Sequence, residues 1–227
     1  MSVNIPAYRE LCTVAAAYGA KLAAVSKTKP ASDILALYEA GQRIFAENYV
    51  QELTAKYAAL PRDIRWHSIG HLQTNKVKYI APFVSVIQGV DSLRLLHAIN
   101  REAGKNGRRI DCLLQIHIAT ETTKFGLDEQ ELDQVAETVT AAPEDFRHIR
   151  LTGLMGMASF TPDQQQVAAE FGKLKTLFGK VRDRYGMDPE VFCELSMGMS
   201  ADYRLALEAG STLIRVGSLL FGERNRP

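Results

Sequence analysis

The apolar run "KLAAVS" (residues 21–26) leads into two lysines, Lys27 and Lys29, one residue apart and followed by Pro30. An amine held at the end of a buried strand is desolvated, which disfavours its charged form and lowers its pKa from roughly 10.4. Such an amine is a good nucleophile toward an aldehyde. In an extended chain both side chains point the same way, so periodicity does not separate them. Lys27 continues the strand directly and is the better candidate for the ordered amine. Lys29 lies in the exit loop, where its charge would hold down the neighbouring pKa or draw in an anionic ligand as a solvated neighbour.

A second group of residues suits phosphate. In "STLIRVGSLLFGERN" (211–225), Gly217 and Ser218 stand just before a short possible helix, 219–223. Backbone N–H groups at such a place cradle phosphate. Nearby in the chain order of strands, "SMGMSAD" (196–202) offers the Ser196 and Ser200 hydroxyls and a flexible Gly198. The alternative is a pair of tight turns, with Ser200 capping a helix over 201–209, and the residues alone leave both readings open. An amine and a phosphate cradle in one pocket suit a phosphorylated aldehyde, such as a class I aldolase substrate or pyridoxal 5′-phosphate.

Both features need a scaffold that brings distant chain segments together. Strand patterns fall at 21–26, 43–48, 64–70, 84–90, 111–118, 150–157, 191–197 and 212–218, several of them continuously apolar, as in strands covered on both faces. Helical patterns lie between them: 31–41 with Ser32 as N-cap and Gly41 as stop, 91–107 starting on Asp91, 128–142 with early acidic residues, 161–186 and 199–210. Segments 49–63 and 71–83 supply the second and third connections. Eight strands in this rhythm predict a single (β/α)8 TIM barrel over 1–227, near the lower end of length for that α/β fold. An open doubly wound sheet is the alternative, but no GxGxxG follows the first strand. In a barrel the chemistry sits at the C-terminal strand ends. Those ends read Lys27, Asn48 with Tyr49, His67 to His71, Gln88, Gln115 to His117, Met155 to Met157, Ser196 to Ser200, and Arg215 to Ser218.

Composition narrows the function classes. Of 227 residues, 46% are hydrophobic and 23% charged, with a net charge of +1 and no long Lys/Arg run, so neither nucleic acid nor a membrane surface is an expected partner. Cys12, Cys112 and Cys193 are far apart, with no CxxC or Cys/His cluster, which predicts free thiols, a reducing compartment and no metal site. The N-terminus has no signal-peptide pattern and no 18-residue apolar stretch occurs, so a cytoplasmic protein is expected.

Six stretches, "AVSKTKP", "AENYVQE", "WHSIGHLQTNK", "GLMGM", "LSMGMSAD" and "STLIRVGSLLFGER", together resemble in order the YggS/PROSC family of pyridoxal phosphate homeostasis proteins, from about residue 20 to 224. That family looks like the N-terminal barrel of alanine racemases and eukaryotic-type ornithine decarboxylases, the fold-type III barrel. The resemblance implies that Lys27 forms a covalent aldimine with pyridoxal 5′-phosphate. It places Arg215 at the pyridine nitrogen, Ser200, Gly217 and Ser218 at the phosphate with Ser196 nearby, and Asn48, His67 and Met155 along the pocket. Ala46 and Ser68 depart from the commoner "GENY" and "HFIG" patterns, away from the lysine and the cradle.

The resemblance also bears on turnover. The cofactor acts as an electron sink that deepens when its ring nitrogen is protonated, and an arginine there opposes that proton. With Pro227 following directly on the barrel, the C-terminal β domain that supplies racemases with a second acid/base is expected to be missing. A non-enzymatic carrier or regulator of intracellular vitamin B6 and amino-acid homeostasis is therefore expected, with a weak amino-acid racemase as the alternative. Pyridoxal-phosphate-dependent apo-enzymes are candidate partners, and a monomer is the expected state.

Overall fold

The computed structural model describes residues 3–121 and 125–223. The two ends of the expected 1–227 unit, and Arg224 in the last resembling stretch, lie outside the described residues. Eight parallel strands close into a barrel in chain order: β1 (Lys21–Val25), β2 (Ile44–Glu47), β3 (Arg65–Ser68), β4 (Val86–Val90), β5 (Ile110–Ile116), β6 (Ile149–Gly156), β7 (Glu194–Ser196) and β8 (Leu213–Val216). β8 pairs with β1, with Lys21 opposite Leu213 and Ala23 opposite Arg215, so the first and last chemical segments become neighbours. The barrel expectation holds; most strands are shorter than their expected runs because flanking residues belong to the loops, whereas β6 keeps its expected length, shifted by one residue.

Helices surround it: α1 (Ile5–Ala17), α2 (Ala31–Glu39), α3 (Val50–Ala59), α4 (Val77–Ile80) after a 3-10 turn at Thr74–Lys76, α5 (Leu93–Lys105), α6 (Glu129–Ala141), α7 (Gln164–Arg184), α8 (Tyr203–Glu208) and α9 (Ser218–Phe221). The outward strand residues pack with the inner helix faces into the main core, where Trp66, Phe45, Phe171 and Phe192 are fully buried. Two helix-start expectations are corrected, and one of the two readings left open for Ser200 does not hold. Pro30, not Ser32, occupies the N-cap of α2, and Ser92 rather than Asp91 caps α5 through the Leu95 N–H. α8 begins at Tyr203 after Asp202, so Ser200 lies outside it.

The lumen of the barrel is lined by alternate strand residues, with one break in phase. Cys112 pairs with Leu151 but Leu113 pairs with Gly153, an extra residue in β6. A bulge of this kind breaks the two-residue alternation. Thr152 therefore lines the lower lumen, while above the bulge Met155 joins Val86, Leu113 and Met157 in a small inner cluster. Gly153 has φ +153°, and a Cβ there would collide with the Glu194 backbone, so the bulge requires glycine. Ala46 sits in a second inner cluster with Ala23 and Leu213, and its φ is ordinary.

Candidate binding site at the C-terminal mouth of the barrel

Directly beyond β1 the chain turns. The Lys29 N–H donates to the Ser26 carbonyl (3.0 Å), with Lys27 and Thr28 at the centre of the turn. Thr28 has φ +65°, a left-handed conformation that glycine or asparagine normally fills and that costs a β-branched residue of order 1–3 kcal/mol. A buried polar network behind the turn holds it. The Thr28 N–H donates to Glu52 Oε2 (2.8 Å), and Lys56 Nζ donates to Glu52 Oε2 (2.9 Å), Glu47 Oε1 (2.7 Å) and the Ser26 carbonyl (2.8 Å). The Ser26 hydroxyl donates to the same Glu47 oxygen (2.6 Å).

Burial raises the Glu47 pKa, while hydrogen bonds from Lys56 and Ser26 oppose the rise. Burial also pushes Glu52 up, but the bonds from Lys56 and the Thr28 N–H outweigh it and leave its pKa lowered. The backbone on both sides of Lys27 is thus anchored from outside the barrel, and the half-buried Lys27 faces the cavity at the C-terminal mouth. Lys29 is not the solvated neighbour expected from sequence. Its amine donates to the Phe221 carbonyl (2.8 Å) and the Glu223 carbonyl (3.0 Å), tying the exit loop to the end of α9.

This cavity has a volume of about 1000 Å³. Six of the nine residues singled out from sequence line it: Lys27, Asn48, Ser200, Arg215, Gly217 and Ser218. Gly217 and Ser218 lie where β8 passes into α9, and the Gly217 N–H is 3.4 Å from Ser200 Oγ. A Cβ on Gly217 would meet the Val25 carbonyl at 3.1 Å, so glycine lets this backbone approach the end of β1 closely. The Asn48 side-chain oxygen is buried without a hydrogen-bond partner.

Arg215 forms part of the floor. It is 3% exposed, and among the described residues no carboxylate lies within ion-pair distance. Burial lowers its pKa to about 10, so it remains a cation at neutral pH. Its Nη1 donates to Ser196 Oγ (2.7 Å) and its Nη2 to the Gly156 carbonyl (3.0 Å). Because guanidinium is a donor only, the chain of bonds beyond it has a defined direction. Ser196 Oγ donates to Gln88 Oε1 (2.7 Å), which leaves Gln88 Nε2 to donate to His67 Nδ1 (2.8 Å).

Three sequence candidates therefore stand below the cavity. Ser196 is fully buried and orients Arg215 from beneath. Met155 is buried in the inner cluster, and Met157 takes the lining position. His67 lines a separate cavity at the other end of the barrel. Gln88, which links Ser196 to His67, was a strand-end residue without an assigned role, because an amide carries no charge signature in sequence.

With the geometry described, comparison with known proteins places the chain. Residues 6–225 match the family described as alanine racemase, N-terminal domain. The chain is 37% identical over 206 residues to the pyridoxal phosphate homeostasis protein of Aquifex aeolicus, covering 90% of this chain and 87% of that one. It is 39% identical over 216 residues to the protein of the same name from Bos taurus, covering 90% and 77%. The chain belongs to the pyridoxal phosphate homeostasis protein family. Among solved structures, the family member PipY of Synechococcus elongatus with PLP bound superposes with a TM-score of 0.83 at 34% identity, covering 96% of this chain and all of that one. Pyridoxal phosphate homeostasis proteins thus share this barrel, and the resemblance of the six sequence stretches to them holds over nearly the whole chain.

Proposed function

We propose that the chain binds pyridoxal 5′-phosphate in the upper cavity and serves as a non-enzymatic carrier and regulator of the cofactor within the cell. The observation that carries this reading is the convergence of the Lys27 amine, the Gly217–Ser218 backbone with Ser200, and the buried Arg215 on one cavity of about 1000 Å³. The residues suit the group. Gly217 has the close backbone approach that a cradle needs, with Ser200 Oγ beside its N–H. The buried, partnerless Asn48 oxygen offers an acceptor to a ligand.

In this reading Lys27 presents its amine to the aldehyde, held in place by the Ser26–Glu47–Lys56–Glu52 network. Gly217, Ser218 and Ser200 receive the phosphate, and Asn48 lines the wall. Bound pyridoxal phosphate supplies an electron sink whose depth depends on protonation of its ring nitrogen. Arg215 offers only donors, oriented by Ser196 and the Gly156 carbonyl, and so opposes that protonation. A shallower sink weakens turnover of amino acids without preventing it, and so is in keeping with a holding role. His67 and Met155 belong to the layer beneath the ligand, and Ser196 acts through Arg215.

The test is the absorption spectrum of wild type and Lys27→Ala with added pyridoxal phosphate, followed by borohydride reduction and peptide mapping. A yellow wild type that becomes labelled on the Lys27 peptide, beside an unlabelled variant, supports the binding reading. No colour and no label at excess cofactor overturns it. A screen of D- and L-amino acids for loss of chirality separates carrier from racemase: loss that disappears with Lys27→Ala refutes the non-enzymatic role.

A further inference from the structure

The barrel has a second cavity, at its N-terminal mouth, with a volume of about 220 Å³. Every strand contributes to its lining. Its floor is aliphatic, from Ile44, Val86, Leu113 and Leu213. Most of its charged rim is internally satisfied. Lys21 pairs with Glu194, and Arg150 grips Asp111 through two bonds of 2.6 and 2.8 Å.

Two groups are left over. Arg65, at the start of β3, has no ion-pair partner among the described residues, and neither does Glu190 on the loop before β7. Two residues further along the same face of β3 is His67, whose ring is buried. Its Nδ1 accepts from Gln88 Nε2, so the proton belongs on Nε2, and that atom is buried with no partner. A buried N–H donor without an acceptor costs about 1–3 kcal/mol, and such a group implies an occupant.

We infer that this lower cavity binds a small carboxylate carried on a short branched aliphatic body. Residues i and i+2 of a strand lie about 6.6 Å apart on one face. A carboxylate between Arg65 and His67 accepts from the guanidinium with one oxygen and from Nε2–H with the other. The aliphatic body then rests on Ile44, Val86, Leu113 and Leu213. An acceptor on Nε2–H favours the tautomer that Gln88 already demands, so the ligand and the Arg215–Ser196–Gln88–His67 chain reinforce each other. Two sources share this chemistry. A plain acid such as isobutyrate uses Arg65 and His67 alone, whereas an amino acid such as valine adds an ammonium group for Glu190.

The site reports on itself through Cys193, an exposed thiol on the cavity wall. Isobutyrate and valine are titrated into the full chain at neutral pH. Saturation-transfer NMR of the ligand and the alkylation rate of Cys193, resolved by peptide mass spectrometry, follow binding. Saturable protection of Cys193 by either ligand is expected, weakened about tenfold in Arg65→Gln, the loss of one charge-assisted contact, and partly restored in Arg65→Lys. A wild-type preference for valine over isobutyrate that is lost in Glu190→Gln assigns the amino acid; a wild type that shows no such preference, with binding unchanged in Glu190→Gln, assigns the plain acid. Arg65 is exposed, so the variants fold, as denaturation midpoints will verify. No protection up to roughly 50 mM of either ligand, or binding indifferent to Arg65→Gln, leaves only water on His67 and overturns the inference.

Discussion

Acid should weaken this fold through His67, by an amount that follows from its burial. The ring is 3% exposed, and burial, reinforced by the positive charges of Arg65 and Lys21, lowers its pKa from 6.5 to about 3. Protonating Nδ1 would also set an N–H against the Gln88 N–H that it accepts. In the unfolded chain the same histidine titrates near 6.5. The folded pKa is thus depressed, and the unfolded state binds more protons below pH 6.5. The stabilisation from keeping the ring neutral is whole above that pH and is lost as pH falls toward about 3. The slope is about 1.4 kcal/mol per pH unit once the unfolded ring is charged, which gives a loss of about 2 kcal/mol between pH 7.5 and pH 5. That figure hardly depends on the folded pKa provided it lies below 4, because at pH 5 the folded ring is then still neutral.

Urea unfolding with linear extrapolation at pH 7.5, 6 and 5 measures it, for wild type beside His67→Gln. Glutamine can accept from Gln88 but does not titrate. Wild type should lose about 2 kcal/mol more than the variant across this window. The comparison removes the contribution of Glu47, whose raised pKa works in the opposite direction, gaining stability as pH falls. Parallel pH profiles for the two proteins would refute the reasoning, since the ring would then be charged in the fold or exposed to water.

Other expectations concern the turn at Lys27 and the support of Arg215. Lys56→Met leaves Glu47 buried without its cation and should cost about 3–5 kcal/mol, whereas Glu47→Leu combined with Lys56→Met should recover much of the loss; the urea midpoints decide. Thr28→Gly removes a left-handed threonine and should hold or raise stability by about 1 kcal/mol, a drop of that size showing that the turn is not strained. Ser196→Ala removes the acceptor of Arg215 Nη1 and the donor to Gln88, so it should cost about 1–3 kcal/mol and shift the absorption maximum of bound pyridoxal phosphate; an unchanged spectrum would detach Ser196 from the site.

Local sequence was enough to define the scaffold. Short apolar runs, several of them continuous as in parallel strands buried on both faces, alternate with turn and helix patterns and together mark all eight strands. The position of Lys27 at a strand end, and of Gly217 and Ser218 at another, follows from that count, and barrel closure makes them neighbours. Ser200 was ambiguous between helix cap and pocket because both roles use the same hydroxyl. In the fold α8 starts at Tyr203, so Ser200 is not its cap, and Ser200 Oγ stands beside the Gly217 N–H on the upper cavity.

What tertiary structure alone decided was depth and partnership. The bulge at Gly153 puts Met155 and Met157, rather than Leu154, on the lumen face, a shift that no two-residue periodicity could reveal, and of the two only Met157, nearer the mouth, lines the cavity. His67 reads as a pocket residue in sequence, but closure of the barrel seats it at the lower cavity, at the end of a chain of hydrogen bonds from Arg215. The Glu47–Lys56–Glu52 network and the left-handed Thr28 exist only where β1, β2 and α3 meet. Sequence can single out a lysine by its place after a strand, but the charged groups that anchor the turn around it come from segments that are adjacent only after folding.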